Sequence, residues 1–185
     1  MVKISKLFFV VLFVVILSGC SADQAKPSDF WFEYKWTGPQ VPAPEHFEYI
    51  IAVREDGKGS LSYYPDYMIE TAKVDQIWKK EFVINEEEMN GLYKIMKSTN
   101  IFKPENMEEE SVNFRDGYGT LWAHSDDTSY FVKIHNDSEP ILLDLEREVK
   151  NVVPDIIWQE MENEHQKRLN SNPDFLDYEL PELQY

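Results

Sequence analysis

Four histidines, one cysteine and 34 acidic side chains are the groups in these 185 residues that could do chemistry. Their spacing removes most of the options. His124 and His135 fall on what read as the two arms of one hairpin, about five residue steps apart at roughly 3.3 Å each, too far to share a metal ion. His46 sits in a proline-rich connector and His165 in a polar stretch, and each reads as a lone exposed imidazole. The glutamate runs 86–88 and 108–110 have no histidine or further acid at ligand spacing, and the first is placed to offset a helix dipole. Asp126 and Asp127 are adjacent at an expected turn, where aspartate serves the backbone. There is no Gly-x-Ser-x-Gly elbow, phosphate-binding glycine loop, His-Glu-x-x-His or glycine-rich dinucleotide fingerprint. The expectation is therefore no catalytic residue and no metal set. A carboxylate-dependent hydrolase stays open as a lesser alternative, since paired carboxylates can converge from distant segments.

A binding surface is better supported. Residues 118–124 and 129–135 alternate as two strands joined by a four-residue loop, 125–128. That loop pairs His124 with Ser129, Trp122 with Phe131 and Thr120 with Lys133. One face then carries Leu121, Ala123, Tyr130, Val132 and Ile134, the core side. The reverse carries Trp122 opposite Phe131, bordered by His124 and Lys133, and aromatic pairs rimmed by polar groups mark binding sites. These four residues are the candidate partner-binding set. The competing reading is that a helix covers them.

The elements around this hairpin are legible. Phe30, Phe32, Tyr34 and Trp36 alternate with Trp31, Glu33 and Lys35, giving a strand with one aromatic face. Residues 47–54 and 59–64 flank an Asp56-Gly57 turn, and 77–84 reads as a further strand. Asn85 with Glu88 has the form of a capping box, and Met89, Leu92, Tyr93 and Met96 follow at helical steps. A second helical region has its apolar stripe at Leu142, Leu145, Val149, Val152, Ile156, Ile157 and Met161, with a break at Pro154 and solvated last turns. The predicted class is α+β: a largely antiparallel sheet of about six strands, one helix after the fourth strand, and a helical C-terminal section. With 11 Phe, 10 Tyr and 5 Trp the chain can bury one substantial core.

The lone cysteine has a distinctive setting. Lys3 and Lys6 precede an unbroken apolar run of 11 residues, 7–17, closed by Leu17-Ser18-Gly19-Cys20. This has the form of an export signal and is about half the length a spanning helix needs. Leu17-Ser18-Gly19-Cys20 resembles the lipobox of bacterial prolipoproteins. The resemblance implies that a diacylglycerol is joined to the Cys20 sulfur, that the chain is cut before Cys20, and that an N-acyl chain follows. With Cys20 as the only cysteine, no internal disulfide can form. Two acyl chains suffice for stable anchoring. Lys and Asn usage with few Arg also resembles small cell-surface lipoproteins of Gram-positive bacteria that have no assigned activity.

The expected organisation is a signal at 1–19, a flexible tether at 20–29, one α+β domain at 30–170 and an acidic tail at 171–185. After cleavage 34 acids face 16 Lys and Arg. Such a body repels phosphate backbones, so nucleic acid is not an expected partner, whereas a basic protein or peptide is. The reading is an extracytoplasmic, membrane-anchored, non-catalytic binding module with no cofactor beyond the lipid at Cys20. The alternative is an accessory component of an envelope complex. A Cys20→Ser chain is expected to take up no labelled palmitate and to leave the membrane fraction; full labelling of that variant would refute the lipobox reading.

Overall fold

The computed structural model describes residues 25–39, 41, 46–65, 77–107 and 117–171. The signal, Cys20, the glutamates 108–110 and the chain beyond 171 lie outside the described residues. Six strands form one antiparallel sheet: β1 (Trp31–Thr37), β2 (Glu48–Val53), β3 (Lys58–Tyr64), β4 (Trp78–Val83), β5 (Tyr118–Ser125) and β6 (Thr128–Ile134). Their order is β4-β3-β2-β1-β5-β6, so the first strand lies inside the sheet between β2 and β5. Helix α1 (Glu86–Ser98) follows the fourth strand, and α2 (Pro140–Asn151) and α3 (Asp155–Ser171) close the described chain. This is the α+β arrangement the patterning predicts. None of the described helices is long and apolar enough to cross a membrane.

Local chemistry accounts for the element ends. The Asn85 side chain accepts from the Glu88 N–H at 3.0 Å while Glu88 accepts from the Asn85 N–H at 2.8 Å, a complete capping box. Gly57 turns the β2–β3 hairpin at φ 78°, and its N–H returns to the Arg54 carbonyl at 3.0 Å. Gly119 is required for space: a Cβ there would lie 2.5 Å from the Tyr34 ring. The β5–β6 turn is shorter than expected, because Ser125 and Thr128 still pair and only Asp126 and Asp127 turn, at φ 52° and 59°. Two successive left-handed residues give the primed turn that suits strand twist, and aspartate tolerates that conformation.

The three described helices pack on one side of the sheet. Phe32, Tyr34, Ile51, Leu61, Tyr63, Leu121 and Ala123 are fully buried there, against Met89 and Met96 of α1, Leu145 and Val149 of α2, and Ile157 of α3. The Tyr34 hydroxyl donates to Glu146 of α2, whose carboxylate also pairs with Lys150 at 2.9 Å. Burial raises the Tyr34 pKa well beyond the ordinary phenol range, so the group stays a donor.

Pro154 separates α2 from α3 as expected, but it also resets the phase. Ile157, Met161 and His165 recur every fourth residue and are buried, while Ile156, assigned above to the stripe, is 60% exposed. Both lone histidines are buried rather than exposed. His46 is 0% exposed with its Nδ1 donating to the Pro39 carbonyl at 2.6 Å. His165 is 7% exposed, hydrogen-bonded through Nδ1 to the Tyr63 hydroxyl at 2.7 Å and set against Phe47. The turns of α3 around His165 therefore dock on the body and do not project into solvent.

Burial lowers the His165 pKa, with Glu162 opposing, so the folded state holds the imidazole neutral. The unfolded chain binds the extra proton below the ordinary value near 6.5, so stability is full above that pH and declines as pH falls toward the lowered value. The urea midpoint is expected to drop between pH 7.5 and pH 5.5, with a shallower slope in His165→Gln; equal slopes would remove His165 as the cause.

Candidate functional site

Strict alternation in β1 decides what the other side of the sheet carries. With Phe32 and Tyr34 turned to the helices, Trp31, Glu33 and Lys35 turn away from them. Register then builds three rows across β1, β5 and β6. Trp31 stands beside His124 and Ser129, Glu33 beside Trp122 and Phe131, and Lys35 beside Thr120 and Lys133. All four sequence-predicted binding residues, Trp122, Phe131, His124 and Lys133, thus meet on the face opposite the helices. Cys20 lies outside the described residues.

The aromatic pair is in contact but is not bare. Trp122 and Phe131 meet edge to face with centroids 5.2 Å apart, and Phe131 is 8% exposed while Trp122 is half-buried. Lys133 lies over the rings of Tyr118 and Phe131, at 5.5 and 5.9 Å. Lys35 is held by Glu48 at 2.8 Å. Glu33 differs from its neighbours: half-buried between Ala52 and Trp122, it has no hydrogen-bond or ion-pair partner among the described residues. Desolvation raises its pKa and nearby Lys35 only partly offsets this. A carboxylate in that state gains from an incoming cation.

At the end of these rows the chain before β1 returns to the β5–β6 turn. Asp29 accepts the Asp126 N–H at 3.2 Å and the Asp127 N–H at 2.7 Å. Those contacts, the Asp127 one foremost, hold its carboxyl below the usual range against the opposing effect of burial. The His124 Nε2 lies 3.5 Å from Asp29 Oδ2, its Nδ1 is 3.0 Å from Ser129 Oγ, and Trp31 stacks on its ring at 5.5 Å. Two residues read as tether are attached to the body, since Asp29 caps this turn and the Lys26 N–H donates to Asn90 of α1 at 2.8 Å.

Toward the other edge a pocket of about 460 Å³ opens at β2, β3 and β4, lined by Ala52, Arg54, Lys58, Ser60, Lys79 and Glu81 among others. Glu81 is its one carboxylate, beside three cations. Ala52 also neighbours Glu33, so pocket and rows are continuous across the sheet. No family model matches the chain, and no curated protein matches it.

Sequence reasoning missed Asp29, Trp31 and Glu33 as site residues. Alternation already placed Trp31 and Glu33 on the face opposite the aromatic one; the missing information was that β1 pairs with β5. Replacing Asp29 with Ala is expected to speed hydrogen exchange at the Asp126 and Asp127 amides while leaving the Leu121 amide protected. Unchanged exchange at both turn amides would show that Asp29 does not hold this turn.

Proposed function

We propose that this chain is a lipid-anchored, non-catalytic binding module on the extracytoplasmic side of the membrane, and that it grips a basic protein or peptide through the sheet face opposite the described helices. One observation carries the reading: the half-buried carboxylate of Glu33, without a hydrogen-bond or ion-pair partner among the described residues, stands in register with Trp122, which stands in register with Phe131. A Lys or Arg side chain laid along Trp122 would pack its stem on the ring and bring its charge to Glu33. Cation–ring attraction adds to a desolvated ion pair there. The excess of 34 acids over the 16 Lys and Arg left after cleavage steers basic partners toward the molecule and disfavours acidic ones.

The charged neighbours of Glu33 by register are Lys35 along β1 and, on the diagonals, Arg54 and His124. Lys35 is committed to Glu48, so the cation that best stabilises Glu33 comes from outside. Binding requires the ionised carboxylate. Because the Glu33 pKa is raised above 4.5, affinity should be full near pH 7 and fall as pH descends through the raised value.

A short peptide rich in Lys and Arg, titrated at low salt, is expected to bind the native chain and to bind Glu33→Gln roughly thirtyfold more weakly, about 2 kcal/mol. Trp122→Ala should weaken it comparably, with circular dichroism unchanged. Native affinity in both variants would overturn the reading.

A further inference from the structure

Asp29, His124 and Asp127 place two carboxylate oxygens and an imidazole nitrogen within 4.8 Å of one another. We propose that this trio, where the chain before β1 meets the β5–β6 turn, is a binding site for a single divalent transition ion, with Zn²⁺ the best match.

The geometry of His124 is that of a held ligand. Its Nδ1 is engaged by Ser129 Oγ at 3.0 Å and its ring is stacked on Trp31, which directs Nε2 at Asp29. A metal-bound imidazole characteristically gives its second nitrogen to such an oxygen, which fixes tautomer and ring plane. The 3.5 Å from Nε2 to Asp29 Oδ2 is close to the edge of a tetrahedron with arms of about 2.0–2.1 Å, roughly 3.3 Å.

The charges point the same way. Neither Asp29 nor Asp127 has a Lys or Arg within ion-pair distance among the described residues, so two carboxylates share this corner with only an imidazole between them. Each Asp29 oxygen receives one turn N–H and keeps a second lone pair. Asp127 gives the turn nothing through its carboxylate. At φ 59° Asn or Gly would serve the backbone as well, so the charge is left over from the needs of the fold. One nitrogen and two carboxylates form a donor set for borderline ions rather than for Ca²⁺ or Mg²⁺, which favour oxygen alone. Three protein ligands leave at least one position for water or for a donor from a partner.

The inference does not depend on peptide binding at Glu33. Tag-free full chain in detergent, dialysed against ZnCl₂ at pH 7.5, is expected to retain one equivalent of zinc. His124→Gln and Asp127→Asn should each raise the dissociation constant at least tenfold, and Asp127→Asn preserves a left-handed turn residue. Ser129→Ala should weaken binding less, and Glu33→Gln should bind zinc as the native chain does. Cobalt in place of zinc should give the visible bands of a site with fewer than six ligands, lost in His124→Gln. Failure to retain zinc, or retention unchanged in both ligand variants, overturns the site and leaves the trio a histidine–aspartate pair.

Discussion

The alternation of β1 between two hydrogen-bonded neighbours is the constraint on which the other features rest. β1 is paired along both edges, with β2 and with β5, so its register is fixed twice. Phe32 and Tyr34 are fully buried on the helix side. A slip of one residue would push Trp31, Glu33 and Lys35 into that core and turn the aromatic rings outward, which no local adjustment could repair. The residues that line the face opposite the described helices are thus fixed by the same packing that stabilises the molecule. Fold and candidate site cannot vary independently along this strand.

Tyr34 shows how the two layers are tied. Its ring fills the space above Gly119, and its hydroxyl reaches Glu146 on α2, with Lys150 completing the group. A buried phenol without a partner would be costly, and one bonded to a carboxylate is among the stronger neutral-to-charged contacts. Lys150 also lies 5.6 Å from the Tyr34 ring. The directional Tyr34–Glu146 contact ties α2 to β1, as the Tyr63–His165 hydrogen bond ties α3 to β3, within an interface that is otherwise largely apolar.

Much of this was legible because it is local. The capping box at Asn85 and Glu88, the Asp56-Gly57 turn, the break at Pro154 and the pairing of Trp122 with Phe131 all depend on residues within a few positions of each other. Failures came where distant segments meet. His165 read as polar helix surface, yet spacing of four from Ile157 and Met161 places it under Tyr63 and Phe47, whose position depends on β2 and β3. Ile156 read as core until the break at Pro154 shifted the helix phase. Asp29 read as tether because nothing in its neighbours reveals that it caps a turn nearly one hundred residues away, through contacts to Asp126 and Asp127.

A sheet can meet a partner by adding a strand at an edge or by offering a face, and the proposed reading, which uses the face, agrees with the charges on edge strand β4. Edge strand β4 carries exposed Lys79, Lys80 and Glu81, the charges that discourage strand addition, and Lys80 is already paired with Glu160 of α3 at 2.7 Å. Inside the sheet the chain does the opposite. It keeps Glu33, a carboxylate whose ionised form is disfavoured by its surroundings, next to Trp122, where Gln or Thr would fit a strand at less cost. At neutral pH that residue weakens the fold, since the unfolded chain ionises it more readily. A destabilising charge on the central strand, beside aromatics and away from the guarded edge, is where binding energy can be recovered when a cation arrives.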